Sequence, residues 1–267
     1  NFLIYSSPLI CLLLLFFALQ LSRKPEKHIL LESGEPEVVI LHCDKQLFEV
    51  ASTLIEAFQR RQQQLFELQE LSSAELHSLM QFPEGDVFIL KLQQKGRADV
   101  FATNFISQKI AEVQPVIFAT SDISAQIKSW QDLIDLPITF AIAEGKSNAL
   151  ANCTEAILTE TYKWQEILEK ADYKNDNSEL LARSVALKQV QSVITWLPDA
   201  KYFEVAADIV ELPLKNEYMA EVIFYASKNH QEKEVQERLN AFFKSPHAKE
   251  ILQSYSYRIR ACGFAEL

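Results

Sequence analysis

Glycine is scarce in this sequence, with 5 in 267 residues. Phosphate-cradling loops need closely spaced glycines, because their backbone approaches the phosphates and adopts conformations that other residues avoid. Neither the G-x-G-x-x-G pattern nor the G-x-x-x-x-G-K-[ST] pattern occurs in the chain. We therefore expect no nucleotide-dependent chemistry.

Cysteine is rarer still, with 4 residues at wide spacings. Cys11 lies in an apolar leader, which leaves Cys43, Cys153 and Cys262, an odd number. They form no C-x-x-C pair and no zinc-finger spacing. No disulfide can therefore be assigned from the sequence, and the redox state of these three cysteines stays open.

A short cluster, His42, Cys43 and Asp44, combines side chains that bind zinc or activate a thiol. Neighbouring residues of a strand point to opposite faces, however, and the other histidines show no ligand spacing. The chain also lacks a recognisable combination of acid, base and nucleophile. We predict no cofactor, no protein-bound metal cation and no enzymatic activity.

Basic residues are outnumbered, with 26 Lys and Arg against 36 Asp and Glu, for a formal net charge of -10. Nucleic-acid binding requires clustered Lys and Arg to neutralise phosphates, and the basic residues here form no stripe. We therefore exclude a nucleic-acid partner and attribute the acidic surface to solubility.

Charged residues are also absent from the N-terminal apolar segment, in which Leu9–Leu19 has the length of a signal-peptide core. We interpret residues 1–24 as a signal peptide or membrane anchor and expect a periplasmic or extracytoplasmic folded part. Residues 2–21 are also long enough to span a bilayer uncleaved, since ~20 apolar residues suffice. Arg23 and two lysines follow, and in an anchor they would hold that side in the cytoplasm. Both alternatives remain open at this level.

The rest of the chain alternates between hydrophobic periods of two and 3.6 residues, which is typical of an α/β protein. Glu37 to Cys43 is predicted as a buried strand, and Gln46 to Gln62 as an amphipathic helix. The loop between them lies at the carboxyl end of the strand, where open α/β sheets bind ligands. Further strands are predicted at Leu65–Leu71, Ala98–Thr103, Pro115–Thr120, Ile138–Ala143, Ser192–Leu197 and Ala220–Ser227. Further helices are predicted at Ser73–Met80, Asn104–Glu112, Ser129–Asp135, Ser147–Tyr162, Ser178–Lys188 and Gln231–Phe243.

Four segments carry a family resemblance, in order along residues 37–260. They are VVILHCDKQLFEVASTLIEAFQ, LQQKGRADVFATN, SWQDLIDLPITFAIAEGKSNALANCTEAIL and LNAFFKSPHAKEILQSYSYRI. Their strand, loop and helix order and their closing Phe, small-Pro, Ala and Tyr pattern are similar to those of the periplasmic molybdate-binding proteins. Those proteins are the substrate-binding components of molybdate ABC transporters.

The resemblance implies an α/β fold of the two-lobe type II periplasmic binding protein class. Each lobe is then a mixed sheet flanked by helices, and a two-strand hinge joins the lobes. Residues 37–118 and 218–267 are expected to form lobe 1, and residues 119–217 to form lobe 2. In the family the last helix and its aromatic tail pack back onto the first lobe, with Pro246 in the first turn of a helix.

The resemblance also implies a function, the capture of a small oxyanion such as molybdate or tungstate between the lobes. Such a protein delivers its ligand to an ABC permease and ATPase, and we expect a monomer. The alternative is a membrane-anchored sensor or regulatory binding domain with a degenerate cleft and a different small ligand.

Two candidate binding positions depart from the family pattern. The first loop offers Asp44, Lys45 and Gln46 where the family has a serine. Trp196 aligns with the family's tyrosine and can donate only through its indole N–H. Lys45 is alternatively a solvated loop charge, and Trp196 a core anchor.

Other candidate positions keep the family chemistry. Thr103 matches the hydroxyl residue that follows Ala-Asp-Val-Phe. Ala149 matches the small residue at the start of a lobe 2 helix, with Ser147 and Asn148 as caps and donors. Backbone N–H groups at such a helix start bind anions in this family.

Overall fold

The computed structural model describes residues 38–259 except 63, 86, 98, 99 and 229–231. The predicted leader, residues 1–24, and the cysteines Cys11 and Cys262 lie outside the described residues. Among the helices that are described, none is long and apolar enough to cross a membrane.

The described elements alternate between strands and helices along the chain. The strands are β1 Val38–Asp44, β2 Leu65–Leu71, β3 Phe88–Gln94, β4 Phe105–Val113, β5 Pro115–Ala119, β6 Phe140–Ala143, β7 Tyr173–Asn175, β8 Ser192–Trp196, β9 Asp208–Val210 and β10 Ala220–Ser227. The α-helices are α1 Phe48–Gln62, α2 Ser73–Gln81, α3 Ser121–Ser124, α4 Asp132–Asp135, α5 Ala149–Leu158, α6 Trp164–Lys170, α7 Ser178–Ala186, α8 Leu197–Tyr202, α9 Lys233–Lys244 and α10 Pro246–Ser254. Short 3-10 helices cover Lys45–Leu47, Val100–Asn104 and Asn216–Tyr218.

The strands form two mixed sheets of five strands each. The first has the order β2-β1-β3-β10-β4, and the second has the order β7-β6-β8-β5-β9. In the first sheet β1 runs parallel to β2 and β3, and β10 lies antiparallel between β3 and β4. In the second, β6 runs parallel to β7 and β8, and β5 lies antiparallel between β8 and β9. The predicted fold class, two mixed sheets flanked by helices, is confirmed.

The chain crosses between the sheets twice. It leaves the first sheet at Gln114, between β4 and β5, and returns in residues 211–219, between β9 and β10. Division into lobes at residues 37–118 with 218–267 and at residues 119–217 stays a prediction. Since all of β5 pairs within the second sheet, a limit at 114 fits the pairing better than one at 118.

The parallel strands bring several loops to the same sheet edges. In the first sheet the carboxyl ends of β1, β2 and β3 share one edge, which collects the loop of Lys45–Leu47 and the start of α2. In the second sheet the carboxyl ends of β6, β7 and β8 share an edge, which collects the starts of α5, α7 and α8. These edges hold most of the candidate positions.

The predictions for residues 100–112 are wrong, and Ala98 and Asp99 lie outside the described residues. A strand is predicted at Ala98–Thr103, but Val100–Asn104 forms a 3-10 helix. A helix is predicted at Asn104–Glu112, but Phe105–Val113 is strand β4. Gln, Lys, Ala and Glu give this segment helical propensity, yet it pairs with the whole of β10 across a β-bulge. Tertiary pairing here overrides local propensity, and the bulge disturbs the alternation that would have indicated a strand.

Several smaller elements were not predicted from sequence. The largest is β3, a central strand in which Lys91 interrupts the apolar run. Helices α6 and α8 and the three-residue strands β7 and β9 were also missed. The predicted helix Ser129–Asp135 is reduced to the single turn of α4.

The C-terminal segment packs onto the first sheet, as predicted. Pro246 begins α10, and the Ser245 side chain caps it by accepting a hydrogen bond from the backbone N of Ala248 at 3.2 Å. Phe242 contacts Phe58 of α1 edge to face, with ring centroids 5.4 Å apart. Beyond α10 the backbone N of Arg258 donates to the carbonyl O of Glu112 at 2.8 Å. The tail therefore closes the core of the first sheet next to the crossing at Gln114.

Candidate functional site

Asp44 ends β1 and is completely buried. Its Oδ1 accepts a hydrogen bond from the backbone N of Gln46 at 3.2 Å, and its Oδ2 accepts one from Ser73 Oγ at 3.0 Å. Burial raises the pKa of Asp44, while these hydrogen bonds and the charges of Lys91 and Lys45 act in the opposite direction. The Asp44 carboxyl therefore already occupies two hydrogen-bond donors at this edge of the first sheet, Gln46 N and Ser73 Oγ.

Two side-chain contacts link the first loop to the second sheet. Trp196 Nε1, at the end of β8, donates to Gln46 Oε1 at 2.7 Å. Lys45 Nζ lies 2.7 Å from Asp176 Oδ1, just beyond β7. Trp196 is only 1% exposed, so it is both a core side chain and a hydrogen-bond donor. Both contacts hold the carboxyl edges of the two sheets together.

The start of α5 is capped by Asn148, as the sequence predicts. Asn148 Oδ1 accepts from the backbone N of Ala151 at 3.1 Å, and its Nδ2 donates to the carbonyl O of Asp176 at 2.6 Å. Asn148 and Ala149 are buried, and Ser147 is half-buried. The first N–H groups of an α-helix have no partner within the helix and carry partial positive charge. The start of α5 is thus a suitable anion-binding position.

A cavity of about 270 Å³ lies between the start of α5 and the first sheet. We call it the basic cavity, because its lining includes four basic residues, His77, Lys91, Arg97 and Lys146. No carboxylate belongs to its lining among the residues that the structure describes. The remaining lining residues are Leu92, Gln93, Gln94, Val100, Ser147, Ala149 and Asn152.

Lys91 is the most buried of these basic residues, at 4% exposure. It sits in the middle of β3, and its Nζ lies 3.8 Å from Met80 Sδ. Its charge also lowers the pKa of Asp44. Charges act over a longer range in a buried environment than in water, so Lys91 contributes strongly to the potential of the basic cavity.

A second cavity, of about 380 Å³, has the opposite character. We call it the acidic cavity, because its lining includes four carboxylates, Glu49, Glu179, Asp199 and Glu204. Burial raises the pKa of Asp199 to about 7. Its other lining residues are Lys45, Gln46, Phe48, Val50, Asn177, Pro198, Lys201, Tyr202, Ser254, Tyr255, Ser256 and Tyr257.

The candidate residues from the sequence do not form a single cluster. Ser147 and Ala149 line the basic cavity, and Lys45 and Gln46 line the acidic cavity. Asp44, Asn148 and Trp196 are buried and line neither. Thr103 is exposed in the 3-10 helix and also lines neither cavity.

Sequence reasoning missed Ser73, Lys91, Arg97, Lys146 and Asp199. Two signals were available. A lysine inside the apolar run FILKL of residues 88–92 indicates a buried charge with a special environment. The pattern S-S-A-E, residues 72–75, indicates a capping box, which places Ser73 at a helix start.

Comparisons with known proteins give a family and a fold. The family described as bacterial extracellular solute-binding protein matches residues 41–258. No curated protein matches the chain. Among solved structures, PEB3 of Campylobacter jejuni with L-phospholactate bound has a TM-score of 0.59 at 16% identity, over 83% of this chain and 100% of that one.

Two further solved structures have the same fold. The substrate-binding domain of a putative molybdenum ABC transporter from Clostridium difficile has a TM-score of 0.59 at 12% identity, over 84% of this chain and 99% of that one. The regulatory domain of OxyR2 from Vibrio vulnificus, in a cysteine-to-serine mutant form, has a TM-score of 0.59 at 12% identity, over 78% of this chain and 94% of that one.

Proposed function

The chain belongs to the bacterial extracellular solute-binding protein family, and we propose that it binds a small oxyanion in the basic cavity on behalf of an ABC transporter. Members of this family are binding proteins and not enzymes. Molybdate and tungstate are the ligands favoured by the sequence resemblance. In this proposal the protein is extracytoplasmic and presents its ligand to a permease and ATPase pair.

The charge of the cavity lining is the observation that carries the proposal. His77, Lys91, Arg97 and Lys146 converge on a space that no described carboxylate lines. The start of α5 adds the positive end of the helix dipole and N–H groups that have no partner within the helix, of which Ala151 N is already capped by Asn148. An oxyanion placed there would exchange its water for charge-assisted hydrogen bonds, which are among the stronger protein interactions.

The cavity volume allows more than a bare ion. A tetrahedral oxyanion with four water-sized oxygens needs roughly 40 to 60 Å³ of open space, taking about 10 to 15 Å³ for each oxygen. The basic cavity offers about 270 Å³. The space left over accommodates hydrating water or an organic substituent. A structural relative has L-phospholactate bound, and a small organic phosphate is therefore part of the ligand class that we propose.

A thermal-shift screen of the full chain against molybdate, tungstate, sulfate, phosphate and phospholactate tests the proposal. A ligand at a hundredfold excess over its Kd stabilises the native state by about 2.7 kcal/mol, which a melting curve resolves. Calorimetric titration of the best anion then compares Arg97→Gln and Lys146→Gln with the wild type. Each variant is expected to bind roughly tenfold more weakly, because it loses one charged partner.

The control is Lys233→Gln, which removes an exposed charge at the start of α9 and lines neither cavity. It should bind like the wild type. Asp44→Asn should bind the anion more tightly, since it removes a buried carboxyl that interacts with Lys91. Equal anion affinities for the wild type, Arg97→Gln and Lys146→Gln would show that the anion does not bind in the basic cavity.

The alternative, a sensor or regulatory binding domain with a different small ligand, has one specific observation in its favour. Trp196 and Lys45, two of the predicted donors, are engaged by Gln46 and Asp176 of the chain itself. Small-angle scattering separates the two functions. A transport protein should contract when its anion is added, as lobes close over a ligand. A self-closed regulatory domain should keep its radius of gyration with every anion of the screen.

A further inference from the structure

The acidic cavity has an excess of negative charge that the described part of the chain does not neutralise. Its two ammonium groups are already paired, Lys45 with Asp176 at 2.7 Å and Lys201 with Glu204 at 2.9 Å. Glu179 pairs with Arg183. Glu49 and Asp199 remain, and neither forms an ion pair with any residue that the structure describes.

Asp199 gives independent evidence that a partner is missing. It lines the acidic cavity in the first turn of α8, and its Oδ2 is buried without a well-aligned hydrogen bond from the described residues. Burial raises the pKa of this carboxyl to about 7 and outweighs the nearby hydroxyls of Ser178 and Thr195, which lie close enough to lower it. Buried carboxylate oxygens are rarely left unpaired, because desolvating them is costly. The charges of Glu179 and Glu49, which approach from α7 and α1, act on the same carboxyl.

Four aromatic residues form part of the cavity wall, beside small and polar residues such as Asn177, Ser254 and Ser256. Phe48 stands at the start of α1, Tyr202 at the end of α8, and Tyr255 and Tyr257 belong to the C-terminal tail. Tyr255 is fixed by a contact of 2.9 Å between its hydroxyl and Thr53 Oγ1. Aromatic faces next to carboxylates are the usual surroundings of bound organic ammonium groups. The volume of about 380 Å³ is within the range of small-molecule sites.

We infer that the acidic cavity is a second ligand site, which binds a small organic ammonium ion between Glu49, Glu179 and Asp199 against the tail tyrosines. Elements of both sheets build it, because α1 and the tail flank the first sheet whereas α7 and α8 flank the second. A cation here would offset the like-charge repulsion that now falls on Asp199. This site does not depend on the oxyanion proposal, since the two cavities share no lining residue.

The inference predicts a specific pH dependence. The groups that face Asp199 are Glu49 of α1, Glu179 of α7, Tyr257 of the tail, and Lys201 and Glu204 of its own helix and the turn after it. A permanently charged ammonium ion binds the ionised carboxyl. Because the pKa of Asp199 is about 7, the affinity should rise as the pH increases through that value.

Calorimetric titration of the full chain with choline, butylammonium and putrescine tests the site. Choline is the probe for the pH series, because its charge does not change with pH, and its uncharged carbon analogue dimethylbutanol is the control ligand. Asp199→Asn and Glu49→Gln should each weaken binding by about tenfold or more. Asp199→Asn should also abolish the pH dependence. Glu237→Gln, an exposed carboxylate of α9, should bind as the wild type does.

Several results would overturn the inference. One is the absence of binding by all three ammonium ions at millimolar concentration. Another is equal affinity for choline and dimethylbutanol, which would assign the binding to apolar contact alone. A third is an unchanged affinity in both Asp199→Asn and Glu49→Gln. The oxyanion proposal is tested separately, because the two titrations report on different residues. It fails if neither phosphate nor molybdate binds, whatever the result with the ammonium ions.

Discussion

Replacing Asp199 by Asn should stabilise the protein by an amount that depends on pH. The substitution removes the charge with little change in shape, and the amide oxygen can still accept from the nearby hydroxyls of Ser178 and Thr195. The pKa of Asp199 moves from 3.8 to about 7 on burial. Because each pKa unit corresponds to about 1.36 kcal/mol, the ionised carboxyl costs the folded state up to about 4 kcal/mol.

The direction of the effect follows from proton linkage. Between the unfolded pKa of 3.8 and the folded pKa of about 7, the folded state holds one more proton on Asp199 than the unfolded state. The contribution of this residue to the free energy of unfolding is therefore complete at low pH and is lost as the pH rises towards 7. Asp44 acts in the same direction, since burial also raises its pKa.

Urea unfolding of the wild type and Asp199→Asn across this pH range measures the effect. The difference between their free energies of unfolding should be near zero at about pH 4 and should increase to a plateau above about pH 7. Contributions from Asp44 and from other carboxyls that do not interact with Asp199 cancel in the difference. Glu237→Gln should give a flat difference. A flat difference for Asp199→Asn as well would refute the argument that Asp199 is buried at a cost.

Three other predictions concern the tail, the link between the sheets and the leader. Truncation after Ala241 removes two buried phenylalanines and the docked tail, and each large buried side chain contributes ~1.5 to 3 kcal/mol to the free energy of unfolding. The truncated protein should therefore lack a cooperative melting transition. An unchanged melting temperature would show that the tail does not dock on the first sheet. Trp196→Phe should lower the free energy of unfolding by about 1 to 3 kcal/mol, and a double-mutant cycle with Gln46→Ala should show coupling that a cycle with Trp164→Phe lacks. A reporter active only in the cytoplasm, fused after Leu267, should stay silent if the folded part is exported, and activity there would exclude an extracytoplasmic role.

Local sequence patterns were sufficient to predict an element where its hydrophobic residues follow one dominant period. The apolar face of α1, the strand β10 and the Pro246 helix start could all be predicted, because each signal lies within the element itself. Strand β4 could not be predicted, because its pairing with β10 comes from residues more than a hundred positions away. Strand β3 was also missed, because Lys91 interrupts its apolar run and makes a central strand resemble a surface segment.

The candidate site was predictable only in outline. The sheet edges that collect the binding loops follow from the order of strands, and Asn148 is recognisable as a cap from its position before α5. The two cavities were not foreseeable, since their charges come from elements far apart in the chain. Lys91 lies on β3 and Lys146 before α5, while Glu49 and Asp199 lie in the first turns of two different helices. Only the fold shows which charges become neighbours and which stay uncompensated.

Crystals grown with tungstate, whose heavy atom gives a strong anomalous signal, provide the sharpest test of the proposal that an oxyanion binds in the basic cavity. We expect one dominant anomalous peak between Lys91, Arg97 and the start of α5, and its loss in crystals of the Arg97→Gln, Lys146→Gln double variant. A peak at another position, or no peak in crystals of a protein that binds tungstate in solution, would refute the proposal.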